Sequence, residues 1–232
     1  MFANSRTISS SQTGPHPDLE AVLRRHLAHP FQKPVADYNR LAWDQARAAW
    51  QDWNGAAPLI LDAGCGVGWS TVQLARQWPD SFVLGVDQSS DRLGRGKDLV
   101  GAPPANMALV RADLVDFWRL LAEAGIHLQR HYLLYPNPWP KVGHLQRRWH
   151  GHPVFPTLLA LGGVLECRSN WAIYLEELAL ALSLAGGYPV QVQAWEPSSY
   201  LTPFERKYRE SGQGLWRLML DLDQDPQRGG TP

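Results

Sequence analysis

From Pro58 onward, short apolar runs rich in β-branched residues alternate with stretches whose apolar positions recur every three or four residues. That is the pattern of strands joined by crossover helices in a parallel sheet. The runs predict strands over Leu59–Ala63, Phe82–Asp87, Met107–Ala112, His131–Tyr135, Gly163–Arg168, Val190–Trp195 and Leu215–Asp221. The periodic stretches predict helices over Trp69–Trp78, Ser90–Leu99, Val115–Ala124 and Trp171–Ala185. No long helical stretch separates the last two runs, so the sheet is expected to end in an antiparallel pair. Ahead of the sheet lie two amphipathic segments, Leu19–His29 and Val35–Trp50, broken apart by Pro30 and Pro34. Residues 1–17, rich in Ser, Thr, Asn and Pro, are expected to be loosely ordered, and Gln224–Pro232 to form a disordered tail. The organisation expected is an N-terminal extension over 1–50, one α/β domain over 51–223 and the tail.

Length and charge narrow this picture without changing it. A chain of 232 residues can bury one substantial core. Its 22 basic and 22 acidic residues exclude a protein that coats nucleic acid non-specifically, while leaving room for a local basic face. Cys65 and Cys167 are too few for a disulfide framework and have no metal-ligand company at finger-like spacing, so neither a disulfide nor a metal is expected and a reducing cytoplasm fits. No stretch is long and apolar enough to span a membrane, and Met1–Pro15 lacks the pattern of a signal peptide. Monomer and homodimer are both open on this reading.

Candidate chemistry gathers at the carboxyl ends of the predicted strands, the edge where open α/β sheets bind ligands. The segment LILDAGCGVGWST puts Asp62, Gly64, Gly66 and Gly68 directly after the first strand and before the first sheet helix. Small residues there let a ligand approach the backbone, and the start of the helix accepts negative charge. A dinucleotide fingerprint would want glycine at position 69, where this chain has Trp69. The second strand ends in Asp87, a carboxylate able to accept both hydroxyls of a ribose, and the third is followed by Asp113. Trp69, Trp78, Trp118 and Trp171 fall at helical positions facing the sheet and read as core, as do the two cysteines.

The fourth strand runs into YPNPWPKVGHLQRR, where Pro136, Pro138 and Pro140 forbid its continuation and hold Asn137 at the strand end. Between Ala124 and Leu165 there is no acidic residue, while Arg130, Lys141, Arg147, Arg148 and five histidines (His127, His131, His144, His150 and His152) fall inside the window. A one-sided field of that kind suits a polyanion, and Trp139 and Trp149 add stacking surface suited to RNA.

The D-x-G-x-G-x-G loop resembles motif I of the class I S-adenosylmethionine-dependent methyltransferases. The later motifs resemble the bacterial tRNA (guanine-N(7)-)-methyltransferase family in particular. YPNPWPK with His144 and Arg147–Arg148 is similar to the family's F-P-D-P-W-x-K…H…K-R-R. SNWAIY, with Asn170, is similar to its T-D…Y, and LTPFE, with Thr202 and Glu205, to its T-K-F-E. The resemblance implies an α/β class I methyltransferase, Rossmann-like, with a sheet of about seven strands, mostly parallel with an antiparallel C-terminal strand and helices on both faces. It implies S-adenosylmethionine as cofactor, held by Asp62, Gly64, Gly66, Gly68, Asp87 and Asp113, and tRNA as partner. It also implies a catalytic position at Asn137 and substrate contacts from Lys141, His144, Arg147, Arg148, Asn170, Thr202 and Glu205. Two departures stand out: Asn137 and Asn170 are amides where the family has Asp. Two other readings follow from them. One is an amino-group methyltransferase acting on adenine or a small molecule, since Asn137–Pro138–Trp139 partly resembles the Asn-Pro-Pro-aromatic loop of those enzymes. The other is a cofactor- or RNA-binding homologue with impaired catalysis.

Overall fold

The computed structural model describes residues 4–99 and 102–224. Seven strands form one sheet in the order β3-β2-β1-β4-β5-β7-β6. They are β1 (Leu59–Ala63), β2 (Phe82–Asp87), β3 (Met107–Arg111), β4 (Leu128–Leu134), β5 (Val164–Ser169), β6 (Gln193–Ala194) and β7 (Trp216–Asp221). Strands β1 to β5 run parallel, and β7 pairs antiparallel with both β5 and β6; the antiparallel end is as expected, although a short helix (Pro203–Glu210) lies between β6 and β7. Helices cover both faces, so β1 and β2 are buried along their whole length rather than on alternate residues. Leu59 and Leu61 of β1 face one core, shared with α2 (Asp37–Asn54), α5 (Leu114–Glu123) and α7 (Ala172–Gly186). Ile60 faces the other, shared with α3 (Trp69–Gln77). Trp118 and Trp171 lie in the first core, as expected.

Three local expectations need correction. Helices α6 (Phe155–Ala160) and α8 (Pro203–Glu210) go unpredicted, because each has proline in its first turn. Proline stops a helix elsewhere but is accommodated there, where its missing N–H is not needed. Strand β6 spans two residues rather than Val190–Trp195. The next residue, Trp195, has its ring 4.6 Å from the Arg168 guanidinium and 4.1 Å from that of Arg217. The N-terminal segment has no regular structure up to α1 (Leu19–Ala28), yet it is tied down at several points. Ser5 N–H donates to Ser211 Oγ, Ser10 Oγ donates to the Pro140 carbonyl at 2.6 Å, and Gln12 Nε2 and His16 N–H both donate to Glu177 Oε1. A buried carboxylate on α7 has capacity that its own helix cannot fill, and the segment fills it. The predicted tail, beyond Gln224, lies outside the described residues. Among the described residues no helix is long and apolar enough to cross a membrane.

Candidate active site

The strand order reverses between β1 and β4, which are neighbours although β2 and β3 intervene in sequence. Two consecutive crossovers leave in opposite directions there and open a crevice at the strands' carboxyl ends. A cavity of about 440 Å³ fills it. Gly64, Asp87 and Asp113 line it from the β1–β3 side, Asn137 lines it after β4, and Phe204 and Tyr208 of α8 border the same space.

The glycine loop is shaped by left-handed backbone at Gly64 (φ 80°), Gly66 (φ 61°) and Gly68 (φ 79°). At Gly68 a Cβ would also stand 2.8 Å from Leu109 Cδ1. Only Gly64 of the three lines the cavity, so Gly66 and Gly68 act through the turn they permit. Asp87, 2% exposed, closes the loop by accepting from Gly66 N–H at 3.0 Å and Ser89 N–H at 2.8 Å, with Arg92 paired to it at 3.1 Å. Asp113 caps α5 by accepting from Val115 N–H at 2.8 Å. Asp62 does not line the cavity. It is buried, and its Oδ2 accepts from Ser70 Oγ at 2.6 Å and Thr71 Oγ1 at 2.7 Å. The expectation that it holds cofactor directly is therefore corrected: it braces the start of α3.

Burial pushes the Asp62 carboxyl up to about 6, against the two hydroxyl bonds that favour its charge, and the nearby Asp87 charge adds to the rise. Between the ordinary carboxyl value and about 6, the folded chain keeps a proton that the unfolded chain has lost. Stability from this group therefore falls as pH rises through that window, by about 3 kcal/mol at most. Asp62→Asn is expected to remove that slope while keeping an acceptor for both hydroxyls. Urea midpoints of parent and variant at pH 4 and pH 7 check it, and parallel pH dependences would count against it.

The loop after β4 is the most constrained backbone of the site. Tyr135 (φ 53°) and Trp139 (φ 46°) adopt left-handed conformations that cost a non-glycine residue roughly 1 kcal/mol or more each. Tyr135 is held by its hydroxyl, which donates to Glu205 Oε1 at 2.8 Å; burial and the Glu205 charge push its phenol upward, so it stays a donor. Trp139 is held by its carbonyl, which accepts from Arg148 Nε at 3.2 Å and Nη2 at 3.1 Å. Asn137, exposed at the apex, accepts weakly from Trp139 N–H at 3.4 Å through Oδ1.

Arg148 overturns its predicted role. It is 0% exposed, both Glu177 carboxylate oxygens lie 2.6 Å from its Nη1, and its guanidinium lies 5.0 Å from the Trp171 ring centre. A phosphate cannot reach it, and its charge is spent on Glu177. Burial works against the Glu177 carboxylate, but bonds from His150, Arg148 and Gln12 outweigh it and hold its pKa down to about 2. Lys141 and Arg147 stay exposed, the latter with its guanidinium 4.8 Å from the Trp139 ring. His144 packs edge-on against Trp139. The field expected from the histidines is likewise corrected. Desolvation lowers His131 to about 3 and His152 to about 4 and depresses His150, which leaves all three neutral near pH 7.

The remaining predicted residues serve as supports. Thr202 caps α8 by accepting from Glu205 N–H at 2.9 Å, and Glu205 reaches back to Leu201 N–H at 2.7 Å, which resembles a capping box. Glu205 is 0% exposed and also accepts from Arg168 Nη1 at 2.8 Å and Trp195 Nε1 at 3.0 Å. Both residues, expected at the substrate mouth, are buried and hold the start of α8. Asn170 donates to Gln213 Oε1 at 2.8 Å, and Gln213 Nε2 donates to the Ser5 and Arg6 carbonyls. Trp149, expected as stacking surface, lines the cavity, and the residues missed are Phe204 and Tyr208 in its wall and Glu177 beneath the loop. The T-x-x-E spacing at Thr202 signals the helix that carries the first two. An acid inside the apolar run LEELALAL signals the last, since such a group needs a buried partner.

Residues 56–218 match the family model described as "Putative methyltransferase". The chain is 31% identical over 178 residues to the tRNA (guanine-N(7)-)-methyltransferase of Pseudoalteromonas atlantica, across 71% of this chain and 72% of that protein. It is 32% identical over 176 residues to the enzyme of that name from Pseudomonas aeruginosa, across 71% of each. Its fold is similar to that of the 16S rRNA methyltransferase KamB, with a TM-score of 0.52 and 18% identity over 82% of this chain and 94% of that one. An antibiotic-related methyltransferase gives 0.51 and 14% over 82% and 96%. At those identities the likeness speaks to fold alone. The family model and the curated relatives agree, and this protein belongs to the tRNA (guanine-N(7)-)-methyltransferase family of class I methyltransferases.

Proposed function

We propose that the protein transfers a methyl group from S-adenosylmethionine to nitrogen 7 of a guanine in tRNA, acting in the cytoplasm where that substrate is found. The observation that carries this reading is the single cavity at the β1/β4 reversal, which collects Gly64, Asp87 and Asp113 on one side and Asn137 on the other. The residues present fit the cofactor. Left-handed glycine backbone borders the cavity at Gly64, and the buried Asp87 carboxylate lines it as an acceptor for ribose hydroxyls. When bound, the cofactor supplies a methyl group on a positively charged sulfur. The chain's own work is alignment and charge complementarity. Nitrogen 7 carries a free lone pair, so no residue has to remove a proton before attack. The exposed Lys141 and Arg147 contact phosphates, with Trp139 beside them as stacking surface. The amino-group reading gains no support from the family to which the chain belongs.

Incubation with tritiated S-adenosylmethionine and bulk tRNA, followed by nucleoside analysis, tests the function. 7-Methylguanosine is expected, and label in any other nucleoside, or in none, would refute it. Asp87→Ala is expected to weaken cofactor binding by roughly ten- to a hundredfold, the ~1.5–3 kcal/mol of a hydrogen bond to a charged acceptor. Calorimetry with unchanged affinity in the folded variant would remove Asp87 from the site.

A further inference from the structure

We infer that the phenyl ring of Phe204, backed by Tyr208, is the platform on which the methyl-accepting purine stacks; this rests on the function proposed above. Phe204 is 47% exposed, among the most exposed large apolar side chains of the described residues, and yet it borders the cavity. An isolated exposed phenylalanine on a surface helix needs no explanation, but this one sits on a helix whose first turn is unusually immobilised. Glu205, the next residue, is fully buried and bonded to Leu201 N–H, Tyr135 Oη, Arg168 Nη1 and Trp195 Nε1. Those bonds run to β5, to the strand end that begins the Asn137 loop and to the segment after β6, so the ring is fixed relative to Asn137 before any ligand arrives. Tyr208, one turn on, stacks with Phe204 at 6.0 Å and 25° and leans on Tyr135 at 5.6 Å. The result is a two-ring surface that is rigid and apolar on a wall of the cavity.

The position of this surface selects its occupant. Cofactor-binding groups come from β1, β2 and β3, on one side of the β1/β4 reversal, whereas α8 comes from the β6–β7 end of the sheet and meets the cavity from the other. Pro136, Asn137 and Pro138 line that same half. A flat, unpaired base matches a flat aromatic wall with one polar residue at its edge, the arrangement by which proteins hold unstacked bases. Removing such a ring typically weakens the contact by roughly 5- to 150-fold, and stacking tolerates any aromatic ring but not an aliphatic of similar bulk.

Phe204→Leu and Phe204→Tyr separate aromatic stacking from apolar filling, and both changes fall on an exposed side chain. With S-adenosylhomocysteine saturating, saturation-transfer NMR on guanosine 5′-monophosphate is expected to mark the guanine H8 in the parent and in Phe204→Tyr. The signal is expected to drop at least fivefold in Phe204→Leu, with cofactor affinity unchanged by calorimetry in all three. An equal signal in Phe204→Leu, no signal in the parent, or a loss confined to cofactor affinity would each overturn the platform. Methyl transfer to bulk tRNA by the same proteins keeps the two claims apart. A Phe204-dependent nucleotide signal with unlabelled tRNA would refute the tRNA reading and leave the platform standing. Labelled tRNA with a Phe204-independent signal would do the reverse.

Discussion

Asn137→Asp is expected to raise the single-turnover rate of guanine methylation by roughly 10²–10³, the scale on which one aligned electrostatic group acts on a developing charge. The purine becomes cationic as the new bond forms, and a carboxylate at the loop apex stabilises that charge where an amide does not. Hydrogen bonding points the same way. Oδ1 of Asn137 already accepts from Trp139 N–H, so the amide meets a base with its amino group. Guanine's pairing edge presents donors, which an amino group opposes and a second carboxylate oxygen accepts. The loop itself tolerates the change, because a carboxylate strengthens the bond to Trp139 N–H rather than breaking it. Asn170→Asp carries no such gain. Asn170 Nδ2 donates to Gln213 Oε1, so a carboxylate there would face an acceptor and compete for the Gln213 amino group that ties Ser5 and Arg6. Equal rates for parent and Asn137→Asp, measured with saturating cofactor and RNA, would show that the amide costs nothing.

Glu177→Gln is expected to destabilise the protein by about 3–5 kcal/mol, since it leaves the fully buried Arg148 guanidinium without a counter-charge. At this chain length that corresponds to a melting temperature lower by roughly 6–20 °C. The damage should concentrate at residues 136–148, where Arg148 supports the left-handed Trp139 through its carbonyl, and hydrogen exchange reads it there. Because the folded Glu177 pKa is depressed to about 2, its contribution is fully present above the ordinary carboxyl value and is lost as pH falls toward 2. The parent should therefore lose its advantage over Glu177→Gln in acid. Arg148→Lys keeps the charge but loses the planar fork that reaches Glu177, Trp139 and Gln12 together. It should fold better than Glu177→Gln and still exchange faster over the loop. A Glu177→Gln melt within 2 °C of the parent would mean the cluster is not a keystone.

What the chain declares on its own is local and periodic. Strands β1 and β2 and helix α4 (Ser90–Leu99) fall where apolar runs and periodicity put them, because a strand buried on both faces has little choice of composition. The glycine loop, Asp87, Asp113 and Asn137 could likewise be placed at strand ends by counting, and the sheet order then brings Gly64 and those three residues to one cavity. Burial could not be counted. Arg148 and Arg147 are adjacent in sequence and alike in chemistry, yet one is enclosed against Glu177 and the other lies on Trp139 at the surface. Asp62 and Glu205 read as site carboxylates and proved to be braces, and Phe204, which carried no reading in the sequence, lines the cavity wall. Charge and hydrogen-bonding capacity belong to the residue, but whether they face water, a ligand or another buried group depends on contacts between segments as far apart as Gln12 and Glu177. Only the tertiary structure brings those segments together.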